Sequence, residues 1–237
     1  LVTRLLGVRG FGAFAGTVAM VSILAPFGAW GSGTILVRQI ASAPGDFAAM
    51  WRRCARITAL SSCAMLALSL GAAFIALPTS VPFVVVVLVA VADLVCNSFV
   101  TISAMAYQGF GRLERTAQLR LLPGMLKIVG LVALTLWGPA SGLLAWVSVY
   151  VVATALAAIA SVALVHLEIY RRGTGKVATF SWGEGMQYSV SLATQNIYND
   201  LDKTMLARLS TLEATGAYAA AYRVIELAYL PLSSLFA

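Results

Sequence analysis

The stretch Arg4-Leu5-Leu6-Gly7-Val8-Arg9-Gly10-Phe11-Gly12-Ala13-Phe14-Ala15 returns near the other end of the chain. There it reads Arg208-Leu209, then Gly216-Ala217-Tyr218-Ala219, at one constant offset with no gap. Self-similarity at a fixed spacing sets the architecture before any local pattern does. The residues between the copies are strongly apolar: the chain is 60% hydrophobic with a mean hydropathy of +0.90. In such a chain a long-range echo points to repeated helix bundles around a central cavity.

Only 11% of the 237 residues are charged, too few to coat a soluble domain of this size. A helix needs about 20 mostly apolar residues to cross a hydrocarbon core of roughly 30 Å. Seven stretches qualify, near 11–33, 57–77, 82–104, 121–137, 142–165, 185–207 and 215–237. Pro123 interrupts the start of the fourth, and the sixth is the most polar. The expected fold is all-α, a polytopic membrane helix bundle. The net charge of +7 is a topology signal and no footprint for nucleic acid. Arg38, Arg52, Arg53 and Arg56 lie between the first two spans. Arg112, Arg115, Arg120 and Lys127 surround the third connection, and Arg171, Arg172 and Lys176 lie in the fifth. The second and fourth connections carry no charge. This alternation places the basic loops in the cytoplasm, with Arg4, Arg9 and Arg208 as a minority outside. Cys54, Cys63 and Cys96 have no ligand-like spacing and read as small hydrophobes.

Six crossings separate the two copies of the repeat, so both begin at the same membrane face, as a parallel repeat requires. The second copy is preceded by a span, Met186 to Ala207, that the first copy lacks, and the chain stops in an apolar run at Leu235-Phe236-Ala237. The expectation is a fragment with one helix missing before it and several after it. Residues 1–165 form an N-terminal lobe, 166–184 a cytoplasmic inter-lobe linker, and 185–237 the start of a C-terminal lobe.

Two stretches carry a family likeness. One runs from Arg4-Leu5-Leu6-Gly7 and Gly10-Phe11-Gly12 to Pro26-Phe27-Gly28, then Gly33-Thr34 and Val37-Arg38. It resembles the second helix of oligosaccharide flippases. The other, Asp202-Lys203 with Met205-Leu206 and then Gly216-Ala217-Tyr218-Ala219-Ala220-Ala221-Tyr222-Arg223, is similar to their seventh and eighth helices. These proteins belong to the polysaccharide-export branch of a superfamily that also holds MATE drug exporters and lipid II flippases. The resemblance implies two six-helix lobes and alternating access. It implies a polyprenyl-diphosphate-linked oligosaccharide as cargo, for O-antigen, capsule or exopolysaccharide synthesis in a bacterial or archaeal cell membrane. A polysaccharide polymerase and chain-length machinery are the further partners. A MATE-type cation antiporter, which needs an anionic cavity, and a lipid II flippase, with arginines facing its N-terminal cavity, are the alternatives. The visible N-terminal spans show no mid-membrane arginine.

Charges inside a bilayer cost roughly 2.5–3.5 kcal/mol each on insertion scales, so each needs a reason. Asp93 and Asn97 lie four apart, midway along the third span. Asp93 is either a cavity-facing carboxylate that takes a proton or sodium ion during transport, or half of a polar pair gluing helices together. Asn196, Asn199, Asp200 and Lys203 follow a helical stripe that cannot face lipid. The resemblance puts that helix on the central cavity, where Lys203 would meet a diphosphate and the asparagines sugar hydroxyls. The plainer reading leaves Asp200, Asp202 and Lys203 as helix-end charges. Arg223 and Glu226 are either a self-neutralising bridge or a substrate contact, and Tyr218, Tyr222 and Tyr229 line an adjacent face. His166 reads as solvated. No Walker spacing, nucleophile constellation or metal-ligand spacing appears, so no enzyme activity and no cofactor are expected.

Overall fold

A chain this apolar must satisfy its backbone in lipid, and a helix does so within each segment. The computed structural model describes residues 2–137, 142–170 and 180–235, with side chains described throughout except at 137 and 226–235. Among these residues there are nine α-helices and no strand. α1 (Val2–Gly28) kinks at Gly7, whose φ of +67° suits glycine. It leads through Trp30 and Gly31, both at positive φ, into α2 (Ser32–Ser42). α3 spans Phe47–Ala76. α4 (Phe83–Ala90) and α5 (Asn97–Gly109) are joined by one widened π turn, Val91–Cys96. α6 (Leu113–Trp137), α7 (Leu143–Glu168), α8 (Trp182–Leu209) and α9 (Leu212–Leu235) follow.

Among the described residues five spans are long and apolar enough to cross a bilayer: Val2–Ser42, Pro44–Ala76, Phe83–Gly109, Leu113–Leu136 and Leu143–Glu168. The protein is thus a polytopic membrane helix bundle. α8 and α9 stand where the sixth and seventh spans were expected, α8 diluted by its polar stripe. The fourth span begins eight residues before the expected start, because α6 runs unbroken through Pro123. Membrane helices tolerate proline where neighbours re-satisfy the freed backbone. Lys127 therefore sits in mid-helix and does not flank a connection, a correction that matters below. α8 begins at Trp182, inside the stretch expected as linker, capped by the Ser181 hydroxyl accepting from the Glu184 N–H; residues 171–179 of that stretch lie outside the described residues.

Contacts at the helix ends fix how the passes alternate. At one end Arg38 of α2 meets Glu184 of α8 at 2.6 Å, and Arg112 and Arg115 reach Glu168 at the end of α7. Arg52 of α3 joins them through Tyr170. At the opposite end Arg9 of α1 faces Glu213 of α9 at 3.7 Å, and Arg208 reaches the Leu77 carbonyl beyond α3. One end is strongly basic. α1 and α9 run parallel, as a repeat separated by six crossings demands.

The two copies of the repeat also touch, and they touch at equivalent residues. A Cβ on Gly12 would lie 1.8 Å from the Leu212 carbonyl oxygen; one on Gly216 would lie 2.1 Å from the Val8 carbonyl oxygen. Val8 and Leu212 are themselves repeat partners, as are Arg9 and Glu213. Each copy thus offers the other the same surface, the signature of a local two-fold axis. One turn on, Gly16 abuts Ala207 of α8, where an added Cβ would stand 2.7 Å from the alanine methyl. Small residues let membrane helices approach until dispersion holds them. Outward, α3 presents Leu60, Phe74 and Ile75 and α6 presents Ile128 and Leu136, all well exposed and apolar, as lipid requires.

The Gly12–Gly216 contact predicts that Gly12→Leu overpacks the seam by about 1–3 kcal/mol or more. Thermal melting in detergent should show a clear loss of folded protein. Gly71→Ala, where an added Cβ meets nothing within 4 Å, should leave the melting curve unchanged or move it slightly upward.

Candidate functional site

A π turn shifts helical register by one residue, and such turns recur at functional sites. Asp93 lies in this one. Its Oδ1 accepts a 2.8 Å hydrogen bond from the Tyr150 hydroxyl of α7. On the face of the same ring sits Lys127 of α6, its Nζ 3.6 Å from the ring centroid. Cation–ring contacts of this kind gain strength when water is excluded. Phe14 and Trp146 pack edge-on to Tyr150 at centroid distances of 5.3 and 6.3 Å, so the ring cannot swing freely.

Tyr150 stands between two sets of cavities. Toward the basic end a chamber of about 190 Å³ is lined by Asp93, Asn97, Thr34, Met105 and Asn196. Toward the opposite end a cavity of about 620 Å³ is lined by Lys127, Trp146, Tyr150, Phe14 and Arg223. A pocket of about 200 Å³ adjoins it, sharing Phe11, Phe14 and Arg223 and adding Asp200, Lys203 and Tyr222. α1 borders both: Ala25 and Pro26 near its end line the chamber, and Phe11 to Ala19 in its middle line the adjoining pocket.

The polar stripe of α8 faces α1, and its residues differ in what they are free to do. Pro26 has no N–H, so it leaves the Ser22 carbonyl without its helical donor. Asn196 Nδ2 fills that gap at 2.7 Å. The Ser22 hydroxyl donates to Asp200 at 2.6 Å, and Lys203 Nζ donates to the other Asp200 oxygen at 2.7 Å. Lys203 also bonds the Asn199 carbonyl at 3.0 Å and lies 4.1 Å from the centroid of the Tyr222 ring. Its side chain is 12% exposed. Asp202 accepts from the Tyr218 hydroxyl, and Tyr218 stacks on Tyr222.

The residues singled out in the sequence thus fall into two groups. Asp93, Asn97 and Asn196 converge on one chamber, and Asp200, Lys203 and Arg223 on the pocket beyond. Asn199 contributes its carbonyl to Lys203. The Glu226 side chain, and with it the bridge to Arg223, lies outside the described residues. His166 is exposed, as expected of a solvated histidine, and also makes contacts: its Nε2 accepts from the Trp51 indole at 3.3 Å and its ring packs on Tyr170. The sequence reading missed Lys127, Tyr150 and Trp146. The available signal was the apolar run on both sides of Lys127, which Pro123 masked as a helix start. No group of three metal-ligating side chains occurs among the described residues.

A profile for polysaccharide biosynthesis proteins matches residues 1–236. No curated protein and no solved structure matches the chain. The match covers nearly all of an all-helical chain with five membrane-spanning segments. The protein therefore belongs to the polysaccharide biosynthesis protein family, the O-antigen and polysaccharide flippases of the superfamily that its repeat and helix motifs resemble.

Proposed function

We propose that this chain moves a polyprenyl-diphosphate-linked oligosaccharide from the cytoplasmic to the outer leaflet by alternating access, as a transporter without enzymatic chemistry. One observation carries the reading: two cations, Lys127 and Arg223, line the cavity of about 620 Å³, and among the described side chains no carboxylate lines it with them. Asp93 lies behind the Tyr150 ring, and Asp200 is already engaged by Lys203 and Ser22. A cavity with that sign favours an anionic headgroup such as a diphosphate and disfavours the cationic cargo of a MATE-type antiporter. Phe14, Trp146 and Tyr150 offer apolar ring faces and edges of the kind that sugars pack against. Lys203, paired and largely buried, serves as a strut between α8 and α9 better than as a ligand. Lys127 supplies a mid-membrane cation in the N-terminal region, so lipid II flippases are not set apart on charge.

Alternating access needs a seam that opens, and α2 against α8 suits that role. Gly31 and Gly185 approach so closely that a Cβ on Gly31 would lie 2.6 Å from the Gly185 carbonyl oxygen. Arg38 and Glu184 close the seam at its solvent edge. Exposed ion pairs are worth about 0–1 kcal/mol, weak enough to break in each cycle.

Three outcomes test this reading. In the gene's own host, deletion should trap polyprenyl-diphosphate-linked oligosaccharide facing the cytoplasm and deplete surface polysaccharide. Restored levels from the wild-type gene establish the cargo; normal levels of both in the deletion strain remove it. Lys127→Ala and Arg223→Ala should each lower export roughly 10- to 100-fold, the loss of a charge-assisted contact worth about 1.5–3 kcal/mol. Asp93 is proposed to couple transport to a proton or sodium gradient. Asp93→Asn proteoliposomes should then lose the response to an imposed gradient, and an undiminished response would leave Asp93 a structural residue.

A further inference from the structure

The Tyr150 side chain has two different charges on two different sides. Lys127 lies over its ring, facing the cavity that Arg223 and Trp146 also line. Asp93 receives its hydroxyl, facing the chamber lined by Asn97 and Asn196. We propose that Tyr150 is a positioning residue that couples the two cavities, so that an anion bound at Lys127 and a proton bound at Asp93 favour one another. This rests on the flippase reading above and deepens it.

The physical basis is competition for Lys127. An ionised Asp93 partly satisfies the ammonium through the intervening ring and repels any anion that approaches it. A protonated Asp93 does neither. By linkage, whatever factor a proton adds to anion affinity, the anion adds to proton affinity. Trp146 also lines the Lys127 cavity, and its indole N–H is buried with no partner among the described residues. Among the described residues, Tyr150 from α7, Lys127 from α6 and Cys96 on its own turn are the titratable groups facing Asp93; Arg223 from α9 acts on Lys127 and Tyr150. Asn97 and Asn196, which share its chamber, do not titrate. Phe14 and Trp146 hold the ring in place, so the hydroxyl and the cation-bearing face move together.

The test is binding of farnesyl diphosphate, as a probe, to the protein reconstituted in liposomes between pH 5 and pH 8. The probe's own ionisation is common to all proteins, so the ratio of each variant to wild type is read. Asp93→Asn should bind about tenfold more tightly than wild type at pH 8, within the usual range of coupling, and the ratio should fall toward one as acidification protonates the wild-type carboxylate. Tyr150→Phe keeps the ring under Lys127 but cannot donate to Asp93. It should exceed wild type over the pH interval in which Asp93 titrates and match it on either side, because a carboxylate without its donor takes up a proton at higher pH. A ratio constant across pH for either variant overturns the coupling and leaves the flippase reading in place; a residue that merely packs would give that result. Should Tyr150→Phe fail to fold, Asp93→Asn decides alone. Wild-type protein that binds no probe at any pH removes the anion site, and the coupling with it.

Discussion

The structure depends on how closely α1 approaches α8 and α9. In lipid, apolar side chains gain nothing by leaving one apolar surface for another, so helices associate through dispersion and polar contacts at short range. Gly12, Gly16, Ala207 and Gly216 bring the backbones within reach of one another, and no larger side chain fits there. Because the backbones meet, Phe11 and Phe14 must turn aside, and they become the wall of the 620 Å³ cavity and its neighbour. α1 is therefore both the contact between the two copies of the repeat and a border of the cavities. A change that spreads the contact alters the cavities as well as the stability.

Pro26 adds a second constraint on the same helix. By removing one N–H it exposes the Ser22 carbonyl, and Asn196 is drawn from α8 to answer it. Ser22 then offers its hydroxyl to Asp200, which in turn holds Lys203. A polar chain runs through the α1–α8 interface from a single backbone vacancy. Each member is satisfied by the next, which is what allows several polar groups to persist in a bilayer. It also links the chamber at Asn196 to the pocket at Lys203 through one residue of α1.

The fold was largely legible in the sequence because it is written in quantities that do not depend on tertiary contacts. Apolar length gave the passes, and the placement of Arg38, Arg52, Arg112 and Arg115 gave a basic end that the ion pairs with Glu168 and Glu184 reproduce. The repeat offset gave the parallel relation of α1 and α9. The site was legible only as a neighbourhood. Intramembrane charge located Asp93, Asp200, Lys203 and Arg223, but whether such a charge is available depends on which partner the fold supplies. Lys203 met Asp200 and Asp93 met Tyr150, pairings across one turn and across two helices respectively. Lys127 escaped because a proline four residues before it imitates a helix start, and only the continuity of α6 puts the lysine at mid-membrane.

That placement of one lysine adds a second cation to the cavity wall. Grouped with the charges around the third connection, Lys127 carries no weight in choosing between anionic and cationic cargo. With Lys127 over Tyr150, the large cavity holds Lys127 and Arg223 on its wall, while Asp93 and Asp200 are engaged by Tyr150, Lys203 and Ser22. Two like charges on one cavity wall repel one another, and a bound anion relieves that repulsion. A transporter needs that relief: the cargo must stabilise the state in which both halves close around it, and a cavity already neutral would have nothing to gain from binding.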